Sequence, residues 1–245
     1  MKVRVQLFVT CLVDTFFPEV GEAVVTVLNQ AGVGVEFPQA QTCCGQPAFN
    51  AGFQPEAKRM ARYTIELLEK VEGPVVIPSG SCAAMLIHGY PELFKDDPDW
   101  RPRARKLAAR TFEFSQYLVD ELEMTEFNAT YQSAVAYHPS CHLLRGLGVD
   151  QQPKQLLSSI DGLQLDHLSD ECCGFGGIFS IDHAGISTEL LQRRLEQISK
   201  TNADTVVACD VGCLMHLEGG LRKQDSDVRC MHLAQILAGQ KAGLR

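Results

Sequence analysis

Apolar and polar residues alternate over positions 2–9, where Val3, Val5, Leu7 and Val9 share one face, and this period of two predicts a strand ending just before Cys11. The spacing turns helical over 18–30, and Gly32 suits the helix end. A short strand over 33–37, a long helix over 55–71 and a buried strand over 75–77 follow, after which Pro78-Ser79-Gly80-Ser81 turns into a helix beginning near Cys82. The stretch 104–122 reads as one further helix. The order then repeats, with strands over 133–137, 163–167, 205–208 and 228–231, and helices over 154–159, 186–200, 213–221 and 233–239. Alternation of this kind predicts an α/β fold made of two similar tandem halves, 1–125 and 126–245, each a mainly parallel sheet flanked by helices. In open sheets of this class functional groups collect at the carboxyl ends of strands, so residues distant in sequence meet there.

Cysteines occupy those strand ends. Thr42-Cys43-Cys44-Gly45 and Glu171-Cys172-Cys173-Gly174 are two vicinal pairs closed by glycine, each with one cysteine well before it and one well after. Cys141 follows Cys11 by 130 residues, Cys172 follows Cys43 by 129 and Cys213 follows Cys82 by 131, the mark of an internal duplication. Glycine accepts positive φ and lets backbone N–H groups approach anionic sulfur, while helix N-termini near Cys82, Cys141 and Cys213 favour thiolate over thiol. Adjacent cysteines rarely bridge each other, because the ring strains the peptide. Four thiolates per half therefore match one iron–sulfur cluster or one zinc ion; an all-thiolate set without C-x-x-C knuckles suits iron–sulfur better. Candidate ligands are Cys11, Cys43, Cys44 and Cys82 in the first half and Cys141, Cys172, Cys173 and Cys213 in the second. Cys209 and Cys230 read as core residues, and His138, His142 and His216 stand near enough to cysteines to supply a nitrogen ligand or a hydrogen bond.

The formal charge of −8, with no offsetting basic stripe, argues against non-specific binding to nucleic acid or anionic lipid. No apolar run reaches the length of a transmembrane helix, and Arg4, Gln6 and Asp14 break the resemblance of the N-terminus to a signal peptide, so the expected compartment is the cytoplasm. There, ten cysteines point to metal or redox chemistry rather than structural disulfides. Gly174-Phe175-Gly176-Gly177 is not a dinucleotide fingerprint, and no Walker A, G-x-S-x-G or H-E-x-x-H sequence is present.

Phe8-Val9-Thr10-Cys11, Thr42-Cys43-Cys44-Gly45-Gln46-Pro47, Pro78-Ser79-Gly80-Ser81-Cys82, Tyr137-His138-Pro139-Ser140-Cys141, Cys172-Cys173-Gly174-Phe175-Gly176-Gly177 and Asp210-Val211-Gly212-Cys213 together resemble the cysteine-rich CCG domain. That domain occurs in a heterodisulfide reductase subunit and in the iron–sulfur subunit of glycolate oxidase; the likeness is closer to the LutA/LldE/YkgE group of L-lactate utilisation subunits. The resemblance implies an iron–sulfur electron-transfer subunit, with one 4Fe-4S cluster per half on the eight cysteines named above, in an oxidoreductase complex that turns L-lactate into pyruvate. It also implies a ferredoxin-containing LutB-like partner and a LutC-like partner. The heterodisulfide reductase pattern ends each set in C-x-x-C, whereas here Ser79 and Asp210 take the first position. Ser79 is expected to cap the following helix, Asp210 is a candidate oxygen ligand, and its neighbour Cys209 is a candidate to stand in for the missing cysteine. A thiol or heterodisulfide oxidoreductase and a non-catalytic subunit with zinc in one half are the competing readings.

Overall fold

The computed structural model describes residues 4–240. Strands β1 (Arg4–Leu7), β2 (Gly34–Glu36), β3 (Val75–Ile77) and β4 (Thr111–Glu113) form a parallel sheet in the order β2-β1-β3-β4. Strands β5 (Ala134–Tyr137), β6 (Gln164–His167), β7 (Thr205–Ala208) and β8 (Arg229–His232) form a second, in the matching order β6-β5-β7-β8. The fold is therefore α/β with two tandem halves. In each sheet the strand order reverses beside the first strand, between β1 and β3 and between β5 and β7, and such switch points leave a crevice beyond the strand ends.

The stretch 104–122 is not one helix. A helix covers Trp100–Ala108, β4 interrupts it, and a new helix starts at Phe114. Parallel pairing of Val75 with Thr111 and of Ile77 with Glu113 outweighs the helical spacing of the side chains. Glu113 then restarts the helix as its N-cap, its carboxylate accepting from Ser115 N at 2.8 Å and Gln116 N at 3.2 Å.

The halves share one core. The helix Pro18–Gln30 buries Val20, Ala23, Val24, Val27 and Leu28 on one face, and the cluster it joins includes Val135, Tyr137, Val207 and Leu233 of the second half. Among the described residues no helix is long and apolar enough to cross a membrane.

Candidate metal centre

Each cysteine position follows from local backbone chemistry. Cys11 heads the helix Cys11–Phe16 directly after β1, with Thr10 as its cap, and Cys82 lies in the first turn of Gly80–Ala84 directly after β3. The pairs 43–44 and 172–173 sit in loops after β2 and β6, and each chain reverses at a glycine in the left-handed region, Gly45 at φ 84° and Gly174 at φ 94°. Gly174 also has no room for a side chain, because a Cβ there would lie 2.4 Å from the Ser187 carbonyl oxygen.

Burial repeats across the duplication. Cys11, Cys43, Cys141 and Cys172 are half-buried, whereas Cys44, Cys82, Cys173 and Cys213 are buried. In the first half Cys44 Sγ lies 3.3 Å from Cys82 Sγ, and Cys43 is hydrogen-bonded to both Cys11 and Cys44. In the second, Cys173 and Cys213 are 3.2 Å apart and Cys141 and Cys172 are 4.0 Å apart. None of these separations approaches the ~2.05 Å of a disulfide, and all eight cysteines are present as thiols.

The two sets face each other. A cavity of about 160 Å³ between the halves is lined by all eight of these cysteines, together with Gln46, Ser79, Ser81, Ser140, His142 and Asp210. Helix Gly80–Ala84 closes the seam by packing against the segment His142–Gly146, and the approach is so tight that a Cβ on Gly80 would lie 2.6 Å from Leu143 Cβ.

A packed set of four thiols cannot ionise together without a cation. Hydrogen bonds from Cys11 and Cys44, and the Gly45 N–H, draw Cys43 down to about 3. Cys172 is drawn down to about 2 by Cys141, Cys173 and Gly174 N–H, the last at 3.3 Å from its sulfur. Cys11, Cys44, Cys141 and Cys173 are pushed upward in turn by the sulfur they donate to and by burial. A cation placed among the sulfurs reverses this order and makes every member a thiolate. The donor set, its spacing and its enclosure thus fit a metal or metal–sulfur group.

A sequence profile described as a cysteine-rich domain, CCG, matches residues 5–87 and again 135–218. The chain belongs to the CCG family. Among its relatives, Lactate utilization protein A of Halalkalibacterium halodurans is 45% identical over 240 residues, 97% of this chain and 98% of that one. The protein of that name from Exiguobacterium is 44% identical over 237 residues, 96% of each chain. A crystal structure of a hypothetical protein from Helicobacter pylori shares the fold with a TM-score of 0.69 at 13% identity, covering 98% of this chain and 51% of the longer one.

The other residues singled out in the CCG motifs separate into distinct roles. Ser79 caps Gly80–Ala84 through Cys82 N. Asp210 caps Val211–Lys223 through Gly212 N, and its second oxygen accepts from Ser79 Oγ at 2.9 Å and Ser81 N at 3.0 Å. Those bonds engage both carboxylate oxygens of Asp210, which also lines the cavity. Cys209 is fully buried in the shared core, and Cys230 lies in β8 opposite Val206. His142 stands 3.7 Å from its neighbour Cys141 on the cavity wall, and His216 faces Ser187 and Phe175. His138 is different. It is fully buried, neither ring nitrogen has a hydrogen-bond partner, and one of those nitrogens lies within 4.8 Å of the Cys173 and Cys213 sulfurs.

Two buried charged residues escaped the sequence. Arg194, unremarked in a helix expected over 186–200, is fully buried beside the second cysteine set. Glu113, also fully buried, was hidden inside an expected helix.

Proposed function

We propose that this chain is an iron–sulfur electron carrier in an L-lactate utilisation system, with one cluster held by Cys11, Cys43, Cys44 and Cys82 and another by Cys141, Cys172, Cys173 and Cys213. The observation that carries the reading is the meeting of two four-cysteine sets on one cavity; relatives named for lactate utilization, matched over nearly their whole length, supply the substrate. Clusters held there would supply one-electron acceptance and release. Oxidation of L-lactate to pyruvate releases two electrons and two protons, and two one-electron centres side by side suit that stoichiometry. The eight thiolates would bind, and the glycine N–H groups would offset negative charge on sulfur. The chain acts as a cytoplasmic subunit rather than a complete enzyme, delivering electrons to or from a LutB-like ferredoxin-containing subunit and a LutC-like subunit. Its halves, 1–125 and 126–245, each carry one centre.

Iron and acid-labile sulfide are to be measured, with EPR, on protein made and kept without oxygen. About four iron and four sulfide per half are expected for 4Fe-4S clusters. A second reading, one zinc ion in the second half, is favoured by His138, Cys173 and Cys213 standing within 4.8 Å of one another. Zinc without labile sulfide would select that reading and remove the redox role.

A further inference from the structure

Because the halves are duplicates, each residue beside one cysteine set has a counterpart beside the other. His138 N donates to Val207 O at 2.8 Å just as Phe8 N donates to Val76 O at 3.0 Å, so His138 stands where the first half has Phe8. The helices after the cysteine pairs, Gln54–Leu68 and Ala184–Ile198, have equal length, and the glycine of each pair packs against equivalent positions, Gly45 on Met60 and Gly174 on Leu190. In that register Arg194 stands where the first half has Thr64, and both are buried.

These two exchanges put a cation and an imidazole against one cysteine set only. The charge of Arg194 is felt by Cys172, Cys173 and Cys213. Its guanidinium donates to the carbonyls of Ser169 and Glu171 and to Gln197 Oε1, not to a carboxylate, so the charge is not cancelled by an ion pair. The Glu171 carboxylate is half-exposed and taken by Gln197 Nε2 at 3.1 Å, and solvent screens it more than the buried guanidinium. Asp210 is felt by Cys141, yet it lies on the seam and is bonded to Ser79 and Ser81 of the first half, so it does not single out the second.

A buried positive charge, and an imidazole that turns an N–H toward ligand sulfur, both favour the more negative, reduced state of a cluster. We propose that the duplicated centres have diverged into an ordered pair, the second half holding the more oxidising cluster because Arg194 and His138 replace Thr64 and Phe8. An electron entering the first half would then move downhill to the second, which gives the subunit a direction. This rests on the iron–sulfur reading above.

The test is an EPR-monitored redox titration of the anaerobically purified, cluster-loaded protein, with Cys173→Ser identifying the second-half signal by its loss. In the unaltered protein the second centre should be reduced first. Arg194→Thr combined with His138→Phe, which installs the first-half residues, should lower the reduced-to-oxidised ratio of the second centre at fixed potential at least tenfold, a shift of about 59 mV for one electron, and leave the first centre in place. Arg194→Lys, which keeps the charge, should retain most of the original order. If removal of Arg194 costs the second cluster, the order of reduction in the unaltered protein decides the matter: a second centre reduced together with or after the first overturns the proposal. Coincident titration of the two centres, or an unchanged second centre in a variant with full iron and sulfide, would overturn the proposal. Absence of iron and sulfide from the unaltered protein would instead defeat the underlying reading.

Discussion

Ser79 Oγ donates to Asp210 Oδ2 at 2.9 Å, joining two residues that are each other's counterparts in the duplicated halves. Each also caps its own helix, so one hydrogen bond ties together the two helix starts that carry Cys82 and Cys213. The exchange of one serine for aspartate makes the contact charge-assisted, and such bonds contribute more than neutral ones. Asp210→Ala leaves Ser79 Oγ, Ser81 N and Gly212 N without this acceptor and is expected to destabilise the chain by about 3 kcal/mol; Asp210→Asn, which keeps an acceptor oxygen, by about 1 kcal/mol. Urea unfolding under anaerobic conditions measures both. Equal losses would mean that the charge contributes nothing.

The seam itself is tested at Gly80. A Cβ there would meet Leu143 Cβ at 2.6 Å and Leu143 Cα at 2.9 Å, and because backbone is involved no rotamer change relieves the overlap. Gly80→Ala should therefore force the halves apart, cost about 1–3 kcal/mol and loosen metal retention in both. Gly146→Ala, on the facing segment, meets nothing closer than Ala84 Cβ at 3.5 Å and should change stability by less than about 1 kcal/mol. Thermal unfolding and iron content of the two variants separate a steric seam from a general intolerance of substitution.

Central strands were legible because burial on both faces writes them as apolar runs, as in Val75–Ile77 and Thr205–Ala208. Edge strand β4 was not, since Thr111-Phe112-Glu113 is short, and Ala104, Leu107 and Leu118 on either side continue a helical spacing. Its counterpart β8 was legible one strand further on, so aligning the halves would have supplied it. The cysteine sets could be read from spacing alone. Their convergence on one cavity could not, because it depends on how two separately predicted halves turn toward each other. Arg194 was hidden for a different reason: it shares the inner face of its helix with Ser187, Leu195 and Ile198, and a period of 3.6 does not show that the carbonyls of Ser169 and Glu171 are there to take a buried guanidinium.

Glu113 predicts a pH dependence of stability. Burial, above all, raises its carboxyl from 4.5 to about 7, with hydrogen bonds from Ser115 and Gln116 opposing the rise. The folded protein therefore holds this proton more tightly than the unfolded chain, and stability is lost as pH climbs from about 4.5 to 7, by roughly 3 kcal/mol in all. His232, the counterpart cap after β8, acts in the opposite sense: burial lowers it to about 4, so its contribution grows between pH 4 and 6.5. The two partly cancel in the unaltered protein. Glu113→Gln isolates the acid, and its stability relative to the unaltered protein should rise steadily from pH 5 to 7.5. A difference independent of pH would show that Glu113 is ionised throughout.

Cysteine substitutions test which sulfurs hold metal. Cys43 and Cys172 are the sulfurs that their neighbours and the loop glycines stabilise as thiolates, while Cys44 and Cys173 lie buried against the closing cysteines of their halves. Serine at Cys43 or Cys173 offers a harder, less acidic donor, so each variant should lose most of the iron and sulfide of its own half and keep that of the other. Cys230→Ser lies on β8 opposite Val206, outside the cavity lining, and should cost about 1 kcal/mol of packing while retaining full metal. Metal analysis beside unfolding curves reads out all three. Loss from both halves on a single substitution would mean that the shared cavity holds one joint centre instead of two, and equal metal loss in Cys230→Ser would remove the assignment of ligands altogether.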